Sequence, residues 1–231
     1  MNTAPYYYLD PDNYLDPDPY FEQYVGYDSS SSDNNHSSDN SHSSDNNQIT
    51  DDLIEFSQSI DPTRKNLIFD IDGTIFDSSY EYESELKNSC ELKDGIRPNF
   101  DKLLVYCVEN DYKIYLWTAG SRLHALNILN SLEHIEYITK ILCRGTSWFN
   151  GSKIEKKLSL LSNDISNILL IDNTHSISIG QKDNVIIVPT YDISSKLIDN
   201  VILDLLEIFK AIPKTCNLVD YVKCNLLNVI I

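Results

Sequence analysis

From about residue 50 onward the chain alternates short apolar runs with longer stretches whose apolar positions recur every three to four residues. The runs are 66–70 (NLIFD), 113–118 (KIYLWT), 138–142 (ITKIL), 168–171 (ILLI) and 185–188 (VIIV). Near-continuous apolar runs of this length suit parallel strands covered on both faces. Between them, 98–109 (PNFDKLLVYCVE) and 121–132 (SRLHALNILNSL) carry helical periodicity. Pro98 is pre-set for the first helical position, and Ser121 suits an N-cap. A further helix is expected over 195–211, with 214–231 packing back on the sheet. LIEFSQSI at 53–60 reads as a short helix lying on the domain. Strand–helix alternation predicts an α/β fold, a doubly wound Rossmann-like parallel sheet.

The N-terminal segment follows a different rule. Residues 1–27 hold seven of the fifteen tyrosines, in a loose YLDPD repeat, and 28–47 are almost wholly Ser, Asp, Asn and His. Such a segment has too little apolar surface to offset chain entropy. The expectation is a disordered acidic tail over 1–50 and a folded domain over 51–231. The tail reads either as plain solvated chain or as a segment that docks a partner.

Charge sharpens that division. The formal net charge is −17, yet residues 1–61 contain thirteen acids and no Lys or Arg. The other 170 residues hold 22 acids and 18 bases. The folded part is close to neutral, which disfavours nucleic acid as a partner. Five cysteines, none spaced C-x-x-C, suit free thiols in a reducing compartment, so the sequons at Asn35 and Asn150 are chance matches. No basic, apolar leader opens the chain, and no run of about 18 apolar residues occurs. The expectation is an intracellular protein of cytoplasm or nucleus, with no membrane contact.

The chemistry gathers where the runs stop. In open parallel sheets, ligands bind at the carboxyl ends of the strands. The first run ends in Asp70 and Asp72, the second in Thr118, and the fourth in Asp172 and Asn173. Lys153, Lys156 and Lys157 precede the fourth run. Two adjacent carboxylates raise each other's pKa, and a divalent cation relieves them. Mg²⁺ takes oxygen ligands of this kind and shares them with phosphate. Taken singly, each element has a plainer reading: an Asp-Gly turn, an ordinary strand end, a solvated lysine. Arg144 stands open between a substrate contact and an ion pair, and His175 reads as a hydrogen-bonded loop residue.

Taken in order, the elements resemble the haloacid dehalogenase (HAD) superfamily, whose signature D-x-D-G-T is DIDGT at 70–74. More narrowly they resemble the FCP/SCP-type, NLI-interacting-factor-like protein phosphatases. The matching stretches are IRP at 96–98, LWTAG at 116–120 against T-A-S, and CRG at 143–145 against H-R-G. KKLSLLSNDISNILLIDN at 156–173 and DNVIIVPTYD at 183–192 complete them. The resemblance spans about 65–226. It departs at Gly73, where the family usually has Glu, at Cys143, and at DNTH in place of D-N-S-P, with His175 last.

The resemblance implies a HAD-like fold, here without a large cap, since 77–96 is short and 121–152 holds one helix, a strand and a loop. It implies that Asp70 attacks phosphorus to form an aspartyl-phosphate, and that Asp72 acts as acid and then base. Thr118 and Lys156 would hold the phosphoryl oxygens, with Arg144 as a further substrate contact. Mg²⁺ would sit on Asp70, the Asp72 carbonyl and Asn173, supported by Asp172. The implied activity is Mg²⁺-dependent hydrolysis of phosphoserine or phosphothreonine in a protein or peptide. The alternatives are a nucleotide or polynucleotide 3′-phosphatase of the same superfamily, and a non-catalytic HAD-like binding module.

Overall fold

The structure, a computed structural model, describes residues 45–77, 79–80, 92–145, 148–149 and 154–225, and for 45–51 the helical backbone alone. Five parallel strands form one sheet: β1 (Lys65–Phe69), β2 (Tyr112–Trp117), β3 (Ile138–Leu142), β4 (Ile168–Asp172) and β5 (Val185–Ile187). Their order is β3-β2-β1-β4-β5. All five fall on the expected apolar runs, and the fold is the α/β arrangement anticipated. β1 lies centrally, parallel to β2 on one side and β4 on the other. Phe69 pairs with both Leu116 and Ile171, so β1, β2 and β4 end level with one another.

The sheet buries both faces because successive side chains on a strand point opposite ways. Leu67, Phe69, Ile114, Leu116, Leu169 and Ile171 enter one core. That core is closed by α2 (Phe100–Glu109), α3 (Arg122–Leu129), α4 (Val201–Ala211) and α5 (Leu218–Asn225). Ile68, Tyr115, Trp117, Ile168 and Leu170 enter the other, with Phe56, Ile60, Trp148 and Leu158. Phe56 belongs to α1 (Asp45–Ser59) and packs on the rings of Tyr115 and Trp117, at 5.5 and 6.4 Å between centroids.

Three boundaries differ from the sequence reading. Helix α1 begins at Asp45, inside the segment assigned to the tail. Pro98 does not open α2: the helix starts at Phe100, and Asn99 caps it with a left-handed backbone, φ 69°. The Arg97 main chain is held to the motif loop, its N–H donating to the Ile75 carbonyl at 2.8 Å, so the chain turns once more before helix geometry begins. The helix expected over 195–211 starts only at Val201, after a 3₁₀ turn at Ile193–Ser195. Ser121 caps α3 as expected, its hydroxyl accepting from the His124 N–H at 3.2 Å. The tail up to residue 44, Cys90, Asn150, Lys153, residues 226–231 and most of 78–91 lie outside the described residues. Cys107, Cys143, Cys216 and Cys224 are free thiols.

Phe56→Ala tests whether α1 is part of the domain. Removing a fully buried ring should cost about 3–5 kcal/mol, read as a lowered urea midpoint. An unchanged midpoint would mean that α1 is dispensable.

Candidate functional site

Asp70 is the residue after β1, and Asp172 is the last residue of β4. Both carboxylates lie beneath the surface, and Lys156 reaches between them from the loop before β4. Its ammonium donates to Asp70 Oδ1 at 2.5 Å and to Asp172 Oδ2 at 2.8 Å. All three side chains are less than one-tenth exposed. Asp172 Oδ1 accepts from the Thr174 N–H at 2.8 Å, so both its oxygens are engaged. Lys157 is exposed and pairs with Glu155, which leaves Lys156 as the lysine of the buried pair of bonds.

Burial is the main force on Asp70, and with the neighbouring charges of Asp172 and Asp72 it pushes the carboxyl up to about 6 against the pull of Lys156. Burial also acts to discharge Lys156, but the two carboxylates outweigh it and hold its pKa above the ordinary value. The triad therefore carries two acids and one firmly protonated base.

The second aspartate has different surroundings. The Asp72 side chain is about one-third exposed, and Thr118 Oγ1 donates to its Oδ2 at 3.1 Å. His124 Nε2 lies 2.7 Å from its Oδ1. Thr118 follows β2, and its hydroxyl oxygen accepts from the Gly120 N–H at 2.8 Å. With that lone pair occupied, the Thr118 hydroxyl proton points outward, to Asp72 or to whatever occupies the site.

Immediately after Asp72 the chain turns at Gly73, which has φ +73°. A Cβ there would stand 2.6 Å from Asn173 Nδ2. Gly73 is bonded on both sides, its N–H to the Phe76 carbonyl at 2.8 Å and its carbonyl to the Tyr191 N–H at 2.7 Å. Arg97 secures the same loop from below. Its side chain is 1% exposed, grips Asp199 through Nε and Nη2, and donates from Nη1 to the Thr74 carbonyl at 3.0 Å.

Thr74 gathers the remaining oxygens. Its hydroxyl lies 3.3 Å from Asp70 Oδ2 and 3.2 Å from Asn173 Oδ1, and it accepts from the Asn173 N–H at 3.1 Å. The Asn173 Nδ2 donates to Thr190 Oγ1 at 3.1 Å, which turns Oδ1 inward. One hydroxyl proton cannot serve both Asp70 Oδ2 and Asn173 Oδ1. A carboxylate oxygen and an amide oxygen thus face each other with one donor between them, a hard oxygen set that fits a small divalent cation.

Arg144 braces the Thr118–Gly120 loop. Its N–H donates to the Gly120 carbonyl at 3.1 Å, its Nε donates to the Ala119 carbonyl at 2.7 Å, and its guanidinium lies 5.1 Å from the Phe149 ring centroid. Burial pushes the neighbouring Cys143 thiol up to about 11, so it offers no thiolate at neutral pH. His175 is exposed in a short 3₁₀ turn.

The structure therefore brings Asp70, Asp72, Thr118, Lys156, Asp172 and Asn173 to one sheet edge, with Arg144 behind the Thr118 loop. Sequence reasoning did not single out His124, Thr74 or Thr190. Thr74 lies inside the DIDGT motif and could have been found there. His124 and Thr190 reach the site only through the turn of α3 and the loop after β5.

A family model described as NLI interacting factor-like phosphatase matches residues 65–219. No curated protein matches the chain. Among solved structures, fission yeast RNA polymerase II CTD phosphatase Fcp1 bound to beryllium fluoride is 16% identical, with TM-score 0.41, over 63% of this chain and 46% of that one. A second structure of Fcp1, titled as an essential RNA polymerase II CTD phosphatase, gives 16%, TM-score 0.42, and 78% and 58%. A putative β-phosphoglucomutase from Thermotoga maritima gives 12%, TM-score 0.43, and 64% and 100%. The chain spans about half the length of the Fcp1 chains it matches.

Lys156→Met should leave Asp70 and Asp172 buried without a cation, at a cost of about 3–5 kcal/mol in urea unfolding. Asp172→Asn keeps one acid on the ammonium and should cost less. Equal losses would contradict the charge accounting of the triad.

Proposed function

The chain belongs to the NLI interacting factor-like phosphatase family, and from that membership and the geometry of its sheet edge we propose that it is a Mg²⁺-dependent protein phosphatase. It hydrolyses phosphoserine or phosphothreonine through an aspartyl-phosphate. The observation that carries this reading is the unequal partnering of two carboxylates two residues apart. Asp70 is buried on a lysine, whereas Asp72 is about one-third exposed, on a threonine and a histidine. Two acids in two environments suit two roles.

In the first step an Asp70 carboxylate oxygen bonds to phosphorus as the bond to the leaving oxygen breaks. The Asp72 carboxyl gives its proton to that oxygen, releasing the alcohol. In the second step the Asp72 carboxylate takes a proton from water, the water oxygen bonds to phosphorus as the bond between phosphorus and the Asp70 oxygen breaks, and the free Asp70 carboxylate and inorganic phosphate result. The Thr118 hydroxyl and the Lys156 ammonium are placed to receive phosphoryl oxygens. Arg144, fixed beside Thr118, is the further substrate contact.

Charge supports the cation. Asp70 and Asp172 against Lys156 leave one negative charge, and Asp72 adds a second once it has given up its proton; both repel a phosphate dianion. Mg²⁺ supplies two positive charges and polarises the phosphoryl group when bound, and the residues that would hold it are Asp70, Asn173 and the main-chain carbonyl of Asp72. Asp172 contributes through Lys156. A near-neutral domain favours a peptide over a polynucleotide as substrate. Free thiols support an intracellular setting, cytoplasm or nucleus. Among the described residues, no helix is long and apolar enough to cross a membrane.

The protein should release nitrophenol from nitrophenyl phosphate with Mg²⁺ and stop in EDTA. Full activity in excess chelator would sink the metal assignment. Mg²⁺ should also raise the thermal midpoint, and Asn173→Ala should abolish that shift.

Nitrophenolate leaves without a proton, so Asp72→Asn should release about one equivalent in a burst and then stall for want of a base. Asp70→Asn should show no burst. Steady turnover by Asp72→Asn, or a burst from Asp70→Asn, would reverse the two roles.

A further inference from the structure

His124 has no part in the reaction as described, yet the fold fixes it from three sides. Its main-chain N–H is held by the Ser121 cap, its ring sits edge-on to Phe76 at 6.4 Å and 74°, and its Nε2 lies 2.7 Å from Asp72 Oδ1. Phe76 is fully buried and belongs to the same loop as Asp72. Gly120 makes room for the ring: a Cβ there would stand 2.8 Å from His124 Cδ2 and 3.3 Å from Asp72 Oδ2.

We propose that His124 is a positioning residue for Asp72, its Nε2–H holding Oδ1 so that Oδ2 is the oxygen that meets the leaving group and later the water. The proposal rests on the roles given above to Asp70 and Asp72. Its weight comes from what Thr118 must do. The Thr118 hydroxyl has one proton to donate, and its oxygen accepts from the Gly120 N–H. When a phosphoryl oxygen arrives, that proton turns to it and leaves Asp72. The contact to His124 then holds the Asp72 side chain through both steps. His124 takes no proton from substrate and gives none; the proton that Asp72 donates ends on the alcohol. Gly120, where the family's T-A-S motif has Ser, is the complementary half of the device, because any side chain there displaces the ring.

The test separates the two half-reactions in the full chain with Mg²⁺. For His124→Ala, the burst of nitrophenol should keep its wild-type rate and an amplitude near one equivalent. The steady phase after it should slow about tenfold or more, since a misplaced group costs rate steeply. With a phosphoserine peptide the first step needs the acid, so alcohol release in a single turnover should slow by a similar factor. KM should stay within about twofold, because only positioning is lost. His124→Gln keeps a donor at a comparable reach and should recover much of the loss. Gly120→Ser should reproduce the His124→Ala pattern with His124 still present. If His124→Ala instead lowers burst amplitude and steady rate together, the residue is merely structural and the proposal falls. Wild-type behaviour in both phases overturns it as well. The Asp72→Asn control tells the two failures apart: if it shows no burst or does not stall, the assignment of Asp72 itself is wrong, and His124 has nothing to position.

Discussion

The buried ammonium of Lys156 between Asp70 and Asp172 is the contact on which the rest of the site depends. It joins the ends of two neighbouring strands, and it is the reason a carboxylate can sit at the end of the central strand at all. An isolated carboxylate in such surroundings would take up a proton and lose its charge. One ammonium shared by two acids restores only part of what burial removes, and Asp70 stays well above the ordinary carboxylate range. The arrangement is poor for stability and good for reactivity. It keeps an anion desolvated, aimed and incompletely neutralised, which is what the nucleophilic role proposed for Asp70 requires.

Around that contact, the eight-residue loop from Asp70 to Asp77 is held more firmly than a simple turn needs. Arg97 takes the Thr74 carbonyl, Tyr191 the Gly73 carbonyl, and Asp77 Oδ2 accepts from the Ile193 N–H at 2.9 Å. Arg97 is neutralised in turn by Asp199, from the segment that delays the start of α4. Removing either partner of so buried a pair strands the other charge, so the cost of looseness falls on the fold as well as on the site. The late start of α4 and the offset start of α2 are thus linked. Both segments are kept out of helix geometry because their side chains or main chain are committed to the motif loop.

That link explains what the sequence could reveal. The strands were legible because parallel strands buried on both faces read as apolar runs, and each run fell on its strand. Asp70, Thr118 and Asp172 were legible because level strands bring their ends together. The start of α3 was legible in its Ser121 cap, but that of α2 was not, because Pro98 satisfies the local rule for a first turn while Arg97 obeys a contact with residues 74, 75 and 199. His124 was illegible for a related reason. On α3 it is one polar residue at the third place of a capped helix, and the packing of its ring on Phe76, a contact between distant segments, helps direct it at Asp72.

Gly73 shows why a departure from a family pattern has to be judged by its surroundings. A longer side chain at that position, such as the family's usual Glu, would begin with a Cβ 2.6 Å from the Asn173 amide on a backbone at φ +73°. Accommodating it would require Asn173 to move away from Thr190, and the inward aim of Asn173 Oδ1 depends on that bond. Gly73 and the Asn173–Thr190 pair therefore form one unit, as Gly120 and His124 do on the other side of Asp72. Both glycines leave room for a neighbouring side chain that reaches into the site. In this chain the space released by two small residues is filled by an amide and an imidazole, one beside each aspartate of the motif. Substitution at either glycine is thus expected to act on the orientation of a carboxylate's neighbour before it acts on the contour of the pocket.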